Sequence, residues 1–271
     1  MRYPKITIIT PSYNQGEFIE KTITSVLNQN YPDLEYIIID GGSTDNSVEI
    51  IKKYDKYLTW WVSEKDRGQS HAINKGFERA TGELLGWLNS DDYFLDGALI
   101  KLAEAYMEDV SVGVVRGRGL IHDKKGKKIY EPDFKDVTID SLFEWCYGND
   151  FMQPSTLFTK QAWDECGPLD EALHMAMDMD LWIKIRKKYE FRMVDAMISH
   201  ALSHEDAKTT AFRNTMLVDT AIVINKHGGE KVARRMLEEM ADKLTENQKY
   251  REYFSRNIIL KLFRRYVTMR M

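Results

Sequence analysis

Two adjacent acids, Asp91 and Asp92, follow the apolar run from Glu83 to Leu88 by way of Asn89-Ser90. Neighbouring carboxylates at a strand end repel each other unless a cation or donor groups offset them. A divalent metal is the usual counter-charge, and Mg²⁺ or Mn²⁺ favours a few protein oxygens completed by phosphates. The same dipeptide could instead cap the next helix or lie in a solvated turn. Asp40 ends a second apolar run and is followed by Gly41-Gly42-Ser43-Thr44-Asp45. Glycines there let the backbone approach a ligand, and an acid at that point can accept hydrogen bonds from a base or ribose. Thr44 and Asp45 are placed to cap a helix beginning near Ser47.

These residues need a scaffold, and the first part of the chain supplies the pattern of one. Lys5 to Thr10, Glu35 to Asp40, Leu58 to Ser63 and Glu83 to Leu88 read as strands, with helical spacing over Glu17 to Leu27, Ser47 to Tyr54 and Ser70 to Arg79 between them. Such alternation predicts a Rossmann-like, mostly parallel α/β sheet flanked by helices. Ligands of such sheets collect beyond the carboxyl ends of the strands. Each of those ends is polar or small here: Pro11-Ser12-Tyr13-Asn14, Asp40-Gly41-Gly42, Glu64 to Gly68, and Asn89 to Asp92. From about Asp96 the pattern is mixed, with strands expected at Val112 to Arg118 and Gln153 to Phe158, a hairpin turn at Lys124 to Lys128, and a helix over Asp178 to Tyr189. Two long helical patterns separated at Gly228-Gly229 follow Ala207. The expected division is a domain over 1–205, with halves meeting near 95, and a C-terminal helical appendage over 206–271.

Composition bounds the partners. The 271 residues are 43% hydrophobic and 30% charged, close to the average of soluble globular domains. Neither an 18-residue apolar run nor a signal-peptide pattern is found, so a cytoplasmic location is expected. Cys146 and Cys166 lack metal-ligand spacing and read as reduced thiols. The net charge of −4 divides into about −10 for the body and +6 for residues 249–271, which argues against nucleic acid as a partner. In that tail Tyr250, Phe254, Ile258, Ile259, Leu262, Phe263 and Tyr266 recur at helical spacing among bases. Such a stripe suits a peripheral contact with an anionic membrane face, or packing on the body or on a second subunit of a homo-oligomer.

Thr10-Pro11-Ser12-Tyr13-Asn14, Asp40 to Asp45, Asp66-Arg67-Gly68-Gln69 through Asn74-Lys75-Gly76, and Asn89-Ser90-Asp91-Asp92 together resemble, in order and spacing, the family 2 glycosyltransferases with the GT-A fold. The resemblance is strong over residues 5–100 and weaker to about 205. It implies an inverting, metal-dependent transfer of a sugar from a nucleotide-sugar donor, with UDP as the nucleotide, to a glycan or lipid-linked acceptor. Pro11, Ser12, Tyr13 and Asp40 would hold the nucleoside, with Asp66 and Arg67 lining the same pocket. Asp91 would sit near the ribose, and Asp92 would bind Mn²⁺ or Mg²⁺ at the diphosphate. The family often has an acid where this chain has Asn89. The family's general base precedes an Asp-Leu-Trp run, which makes it Asp178 in Met177-Asp178-Met179-Asp180-Leu181-Trp182, with Met177 where the family has Glu. His204 would add a metal or phosphate contact, and Lys208 would offset leaving-group charge. Trp60, Trp61 and Trp87 are expected in the core, and Trp145, Tyr147 and Trp182 nearer the acceptor side. A sugar nucleotidyltransferase would open with a Gly-rich, Arg-containing phosphate loop, which the Pro11 to Gly16 segment is not. A non-catalytic sugar-nucleotide or glycan-binding protein would tolerate loss of Asp92 or Asp178.

Overall fold

The computed structural model describes residues 2–147, 151–205, 207–208, 213–246 and 248–249. One sheet organises the chain. Strands β1 (Ile6–Ser12), β2 (Leu34–Asp40), β3 (Trp60–Ser63) and β4 (Leu84–Trp87) are parallel, and the sheet runs β3-β2-β1-β4-β8-β6-β9-β5. The remaining strands are β5 (Tyr93–Phe94), β6 (Val114–His122), β7 (Lys128–Tyr130), β8 (Thr156–Thr159) and β9 (Phe191–Leu202). Strand β8 is antiparallel to both β4 and β6, whereas β9 lies parallel to β6.

Period-two alternation divides the inner strands between two cores. On one face Ile6, Ile8, Tyr36 and Ile38 meet α1 (Ile19–Leu27), α2 (Ser47–Lys53) and α4 (Ala98–Glu108). On the other face Ile9, Ile37 and Ile39 meet α3 (Gln69–Phe77), α5 (Ile139–Phe143), α6 (Lys160–Cys166) and α7 (Met177–Arg186). Helix α1 buries Ile19, Thr22, Ile23 and Val26, a single stripe at helical spacing. Because helices cover both faces, β1 is buried along its whole length.

The segment after 205 shares this core. Ala221, Val223 and Ile224 of α8 (Arg213–Lys226), with Ala233 and Met236 of a last helix over 230–246, join the second face. Polar ties reinforce the packing. The Met175 N–H donates to Asp219 Oδ2 at 2.9 Å, and the buried Asp180 carboxylate meets Lys184, Lys226 and His227 at 2.6, 3.0 and 2.9 Å. Burial pushes Asp180 up, but the hydrogen bonds from Lys184, His227 and Lys226 outweigh it and hold the carboxyl below the usual range. The amphipathic stripe from Tyr250 to Tyr266 lies outside the described residues. No helix among the described residues is long and apolar enough to cross a membrane.

Trp182 corrects one expectation. It is fully buried, stacked on Trp87 with ring centroids 5.6 Å apart and tilted on Phe151 at 4.9 Å. It belongs to the core because nearly the whole circumference of α7 is enclosed. Trp182→Ala is expected to cost about 3–5 kcal/mol of unfolding free energy, read by urea denaturation, because a cavity under Trp87 cannot fully collapse.

Candidate active site

The strand order places β1 between β2 and β4, and the connection out of β1 runs to β2 on one side whereas the connection out of β4 runs to the other side of the sheet. The crevice beyond the carboxyl ends of β1 and β4 is thus a topological switch point. Pro11 and Ser12 end β1 buried, Ser12 Oγ has no hydrogen-bond partner among the described residues, and Tyr13 beside it is 59% exposed. Asn14, at φ 52°, turns the chain so that its N–H donates to Ser43 Oγ and its Oδ1 accepts from the Thr44 N–H, stitching the β1 turn to the β2 turn.

Asp40 is fully buried at the end of β2. Its Oδ2 accepts from the N–H groups of Gly42 and Ser43 and from Ser63 Oγ, while Oδ1 accepts from Ser43 Oγ at 2.5 Å. These four donors match the carboxylate's about four lone-pair sites, so Asp40 braces the turn that follows β2. Neither Thr44 nor Asp45 is the N-cap of α2, which is Asn46, although Asp45 Oδ1 accepts from the Ser47 N–H. Asp66 lies across the Gly41 backbone, where an added Cβ would stand 2.7 Å from Asp66 Oδ2. Gly41→Ala should therefore push Asp66 aside, with little change in melting temperature by thermal denaturation. Arg67, largely exposed, makes a bidentate pair with Glu171 at 2.8 and 2.9 Å.

The turn after β4 separates its two acids. Asp91 Oδ2 stands 3.1 Å from His204 Nε2. Asp92 is buried behind the turn, where Oδ2 accepts from Asn89 Nδ2 at 3.2 Å and Oδ1 from the Leu202 N–H at 3.3 Å. Burial first, then the charge on Asp91, lifts the Asp92 carboxyl well above the ordinary carboxylate range. The structure thus brings Asp91, rather than Asp92, together with His204. Neither acid caps the next helix, because the N-cap of α4 is Gly97. The His204 ring is buried against Phe18, with centroids 4.6 Å apart, and its Nδ1 lacks a partner among the described residues. Two ligands in adjacent octahedral positions about 2.1 Å from an ion would themselves be about 3 Å apart. Asp91 and His204, hydrogen-bonded to each other at this distance, could take those positions only with the shared proton displaced.

Asp178 lies in the first turn of α7, whose N-cap is Ala176. Burial lifts its carboxyl to about 6, against the lowering effect of backbone N–H groups and of the Lys208 cation. Burial also lowers the Lys208 ammonium, offset by the charges of Asp178 and Asp219. Lys208 Nζ donates to Gln69 Oε1 at 3.0 Å and to the His174 carbonyl. Gln69 in turn donates to Asn89 Oδ1 at 2.8 Å, so the surroundings of Asp178 and the Asn89–Asp92 turn share one wall. Gln69 stood in the sequence only as part of a motif. Its role could be read only once α3 and the β4 turn were in place.

The profile described as Glycosyl transferase family 2 matches residues 7–166. That span is more than half of the chain, which belongs to this family. A chondroitin synthase of Pasteurella multocida (strain Pm70) is 25% identical over 253 residues, covering 92% of this chain and 26% of its own. Staphylococcus aureus TarS 1–349 in complex with UDP superposes with a TM-score of 0.63 at 21% identity, covering 81% of this chain and 65% of that one. The mannosyltransferase PcManGT from Pyrobaculum calidifontis, in complex with GDP-Man and Mn²⁺, gives 0.62 at 20% identity, covering 83% and 64%. The shared fold is GT-A. The chain spans about a quarter of the synthase and under two thirds of both structures.

Proposed function

We propose that the chain transfers a sugar from a nucleotide-sugar donor, with UDP as the nucleotide, to a hydroxyl of a glycan or lipid-linked acceptor, inverting the anomeric carbon. The observation that carries this reading is that Lys208, whose charge acts on Asp178, is joined through Gln69 to Asn89, in the same turn whose Asp91 meets His204. The complexes of TarS with UDP and of PcManGT with GDP-Man and Mn²⁺ support the donor class and the metal.

Ser12 Oγ and the Tyr13 ring would meet the nucleoside at the turn that Asp40 braces, with Asp66 held beside them across Gly41. Arg67 lines the rim. Asp91 and His204, rather than Asp92, would hold a divalent ion, and an imidazole in the set favours Mn²⁺ over Mg²⁺. When bound, the ion supplies positive charge that stabilises the departing nucleoside diphosphate. Asp178 accepts the acceptor hydroxyl proton while that oxygen bonds to the anomeric carbon from the face opposite the diphosphate. The bond from that carbon to the diphosphate oxygen breaks, its electron pair leaves with the nucleotide, and the Lys208 ammonium offsets the charge.

Proton NMR of the product formed from a panel of UDP-sugars with Mn²⁺ tests the reading. Inverted anomeric configuration and turnover abolished by EDTA are expected. Retained configuration overturns the inverting mechanism, and turnover indifferent to EDTA overturns the metal.

A further inference from the structure

The Asp91–His204 pair joins two segments far apart in sequence, the β4 turn and the end of β9. A metal site of two protein ligands tolerates little variation in their separation, so something must hold those segments in register. Asp92 supplies one tie through the Leu202 N–H, two residues before His204. The turn itself is tied by side-chain amides. Lys208 Nζ donates to Gln69 Oε1 (3.0 Å), Gln69 Nε2 donates to Asn89 Oδ1 (2.8 Å), and Asn89 Nδ2 donates to Asp92 Oδ2 (3.2 Å).

The orientation of both amides is fixed by the ends of this chain. An ammonium can only donate, and the Asp92 oxygen facing Asn89 is engaged as an acceptor, so flipping either amide would set donor against donor or acceptor against acceptor. We infer that Gln69 and Asn89 are positioning residues, a two-amide strut from the first residue of α3 to Asp92 that sets the separation of Asp91 and His204. The inference rests on the reading that this pair holds the ion. It also accounts for the amide at position 89. An aspartate there could accept from Gln69 but could not donate onward, and it would add a third acid beside Asp91 and Asp92.

The strut makes a prediction about length. Gln69→Asn shortens it by one methylene, Asn89→Gln lengthens it by one, and the double variant Gln69→Asn/Asn89→Gln restores the sum. Mn²⁺ binding to the full chain in the presence of UDP, followed by electron paramagnetic resonance, should weaken by about 10-fold or more in each single variant. The double variant should return to within about threefold of wild type. Thermal melts identify variants that have merely unfolded, and for those Asn89→Ser, which keeps a small polar side chain but loses the bond to Gln69, serves as a second probe with the same expected loss. Single variants that bind Mn²⁺ as wild type does, or a double variant no better than the worse single one, overturn the strut. Asp91→Asn in the same assay separates the two ideas. If it binds Mn²⁺ normally, the metal reading fails; if it loses binding while the strut variants keep theirs, only the strut fails.

Discussion

Asp178→Asn is expected to lower kcat by about 10²-fold or more while UDP affinity stays within about twofold. The amide is nearly isosteric with the carboxylate but cannot take up the acceptor proton. The pH dependence separates this from a loss of shape. Burial raises the Asp178 carboxyl to about 6, so the wild-type rate should fall as pH drops through about 6, and the residual activity of the variant should lack that limb. Stability should move the other way. Between the ordinary aspartate value of 3.8 and about 6, the folded chain keeps a proton on Asp178 that the unfolded chain releases, so wild type loses stability as pH rises across that window. The neutral amide removes that loss. The variant should therefore melt no lower than wild type near pH 8, and a lower melting temperature with a parallel loss of UDP binding would mean that the side chain serves the fold instead.

How far such a site can be read before folding depends on what each element does. The four strand-end motifs were legible because strands covered by helices on both faces must be apolar runs, so polar residues just after them stand out; Ile6–Ser12 and Leu34–Asp40 are of this kind. Strand β9 was not read at all. Its residues Phe191–Leu202 are mostly half-buried and mix polar with apolar types, and its partner β6 is remote in sequence. That strand delivers His204 to Asp91, so the pairing was out of reach even though both residues were named. Helix α4, Ala98–Glu108, also went unread, although Leu99 and Leu102 are core residues. Trp182 was misplaced for a different reason. With both sides of α7 buried, no exposed face marks which residues point toward a ligand.

The proposal that Asp91 rather than Asp92 holds the metal turns on that same unread strand, and substitution decides it. Asp91→Asn removes the charge that faces His204 Nε2 at 3.1 Å and should lower kcat/KM by about 10²- to 10³-fold, the scale of losing several kcal/mol of charge stabilisation on a leaving diphosphate. Mn²⁺ binding in the presence of UDP should fall with it. Asp92→Asn acts differently. Both Asp92 oxygens are acceptors, from Asn89 Nδ2 and from the Leu202 N–H, so an amide nitrogen must oppose one donor. Its first effects should be a lower melting temperature and a looser Asp91–His204 pair. The Mn²⁺ resonance should weaken yet remain detectable, with affinity at least about 10-fold above that of Asp91→Asn. Full loss of the Mn²⁺ signal in Asp92→Asn, with normal binding in Asp91→Asn, would reverse the assignment and return the metal to Asp92.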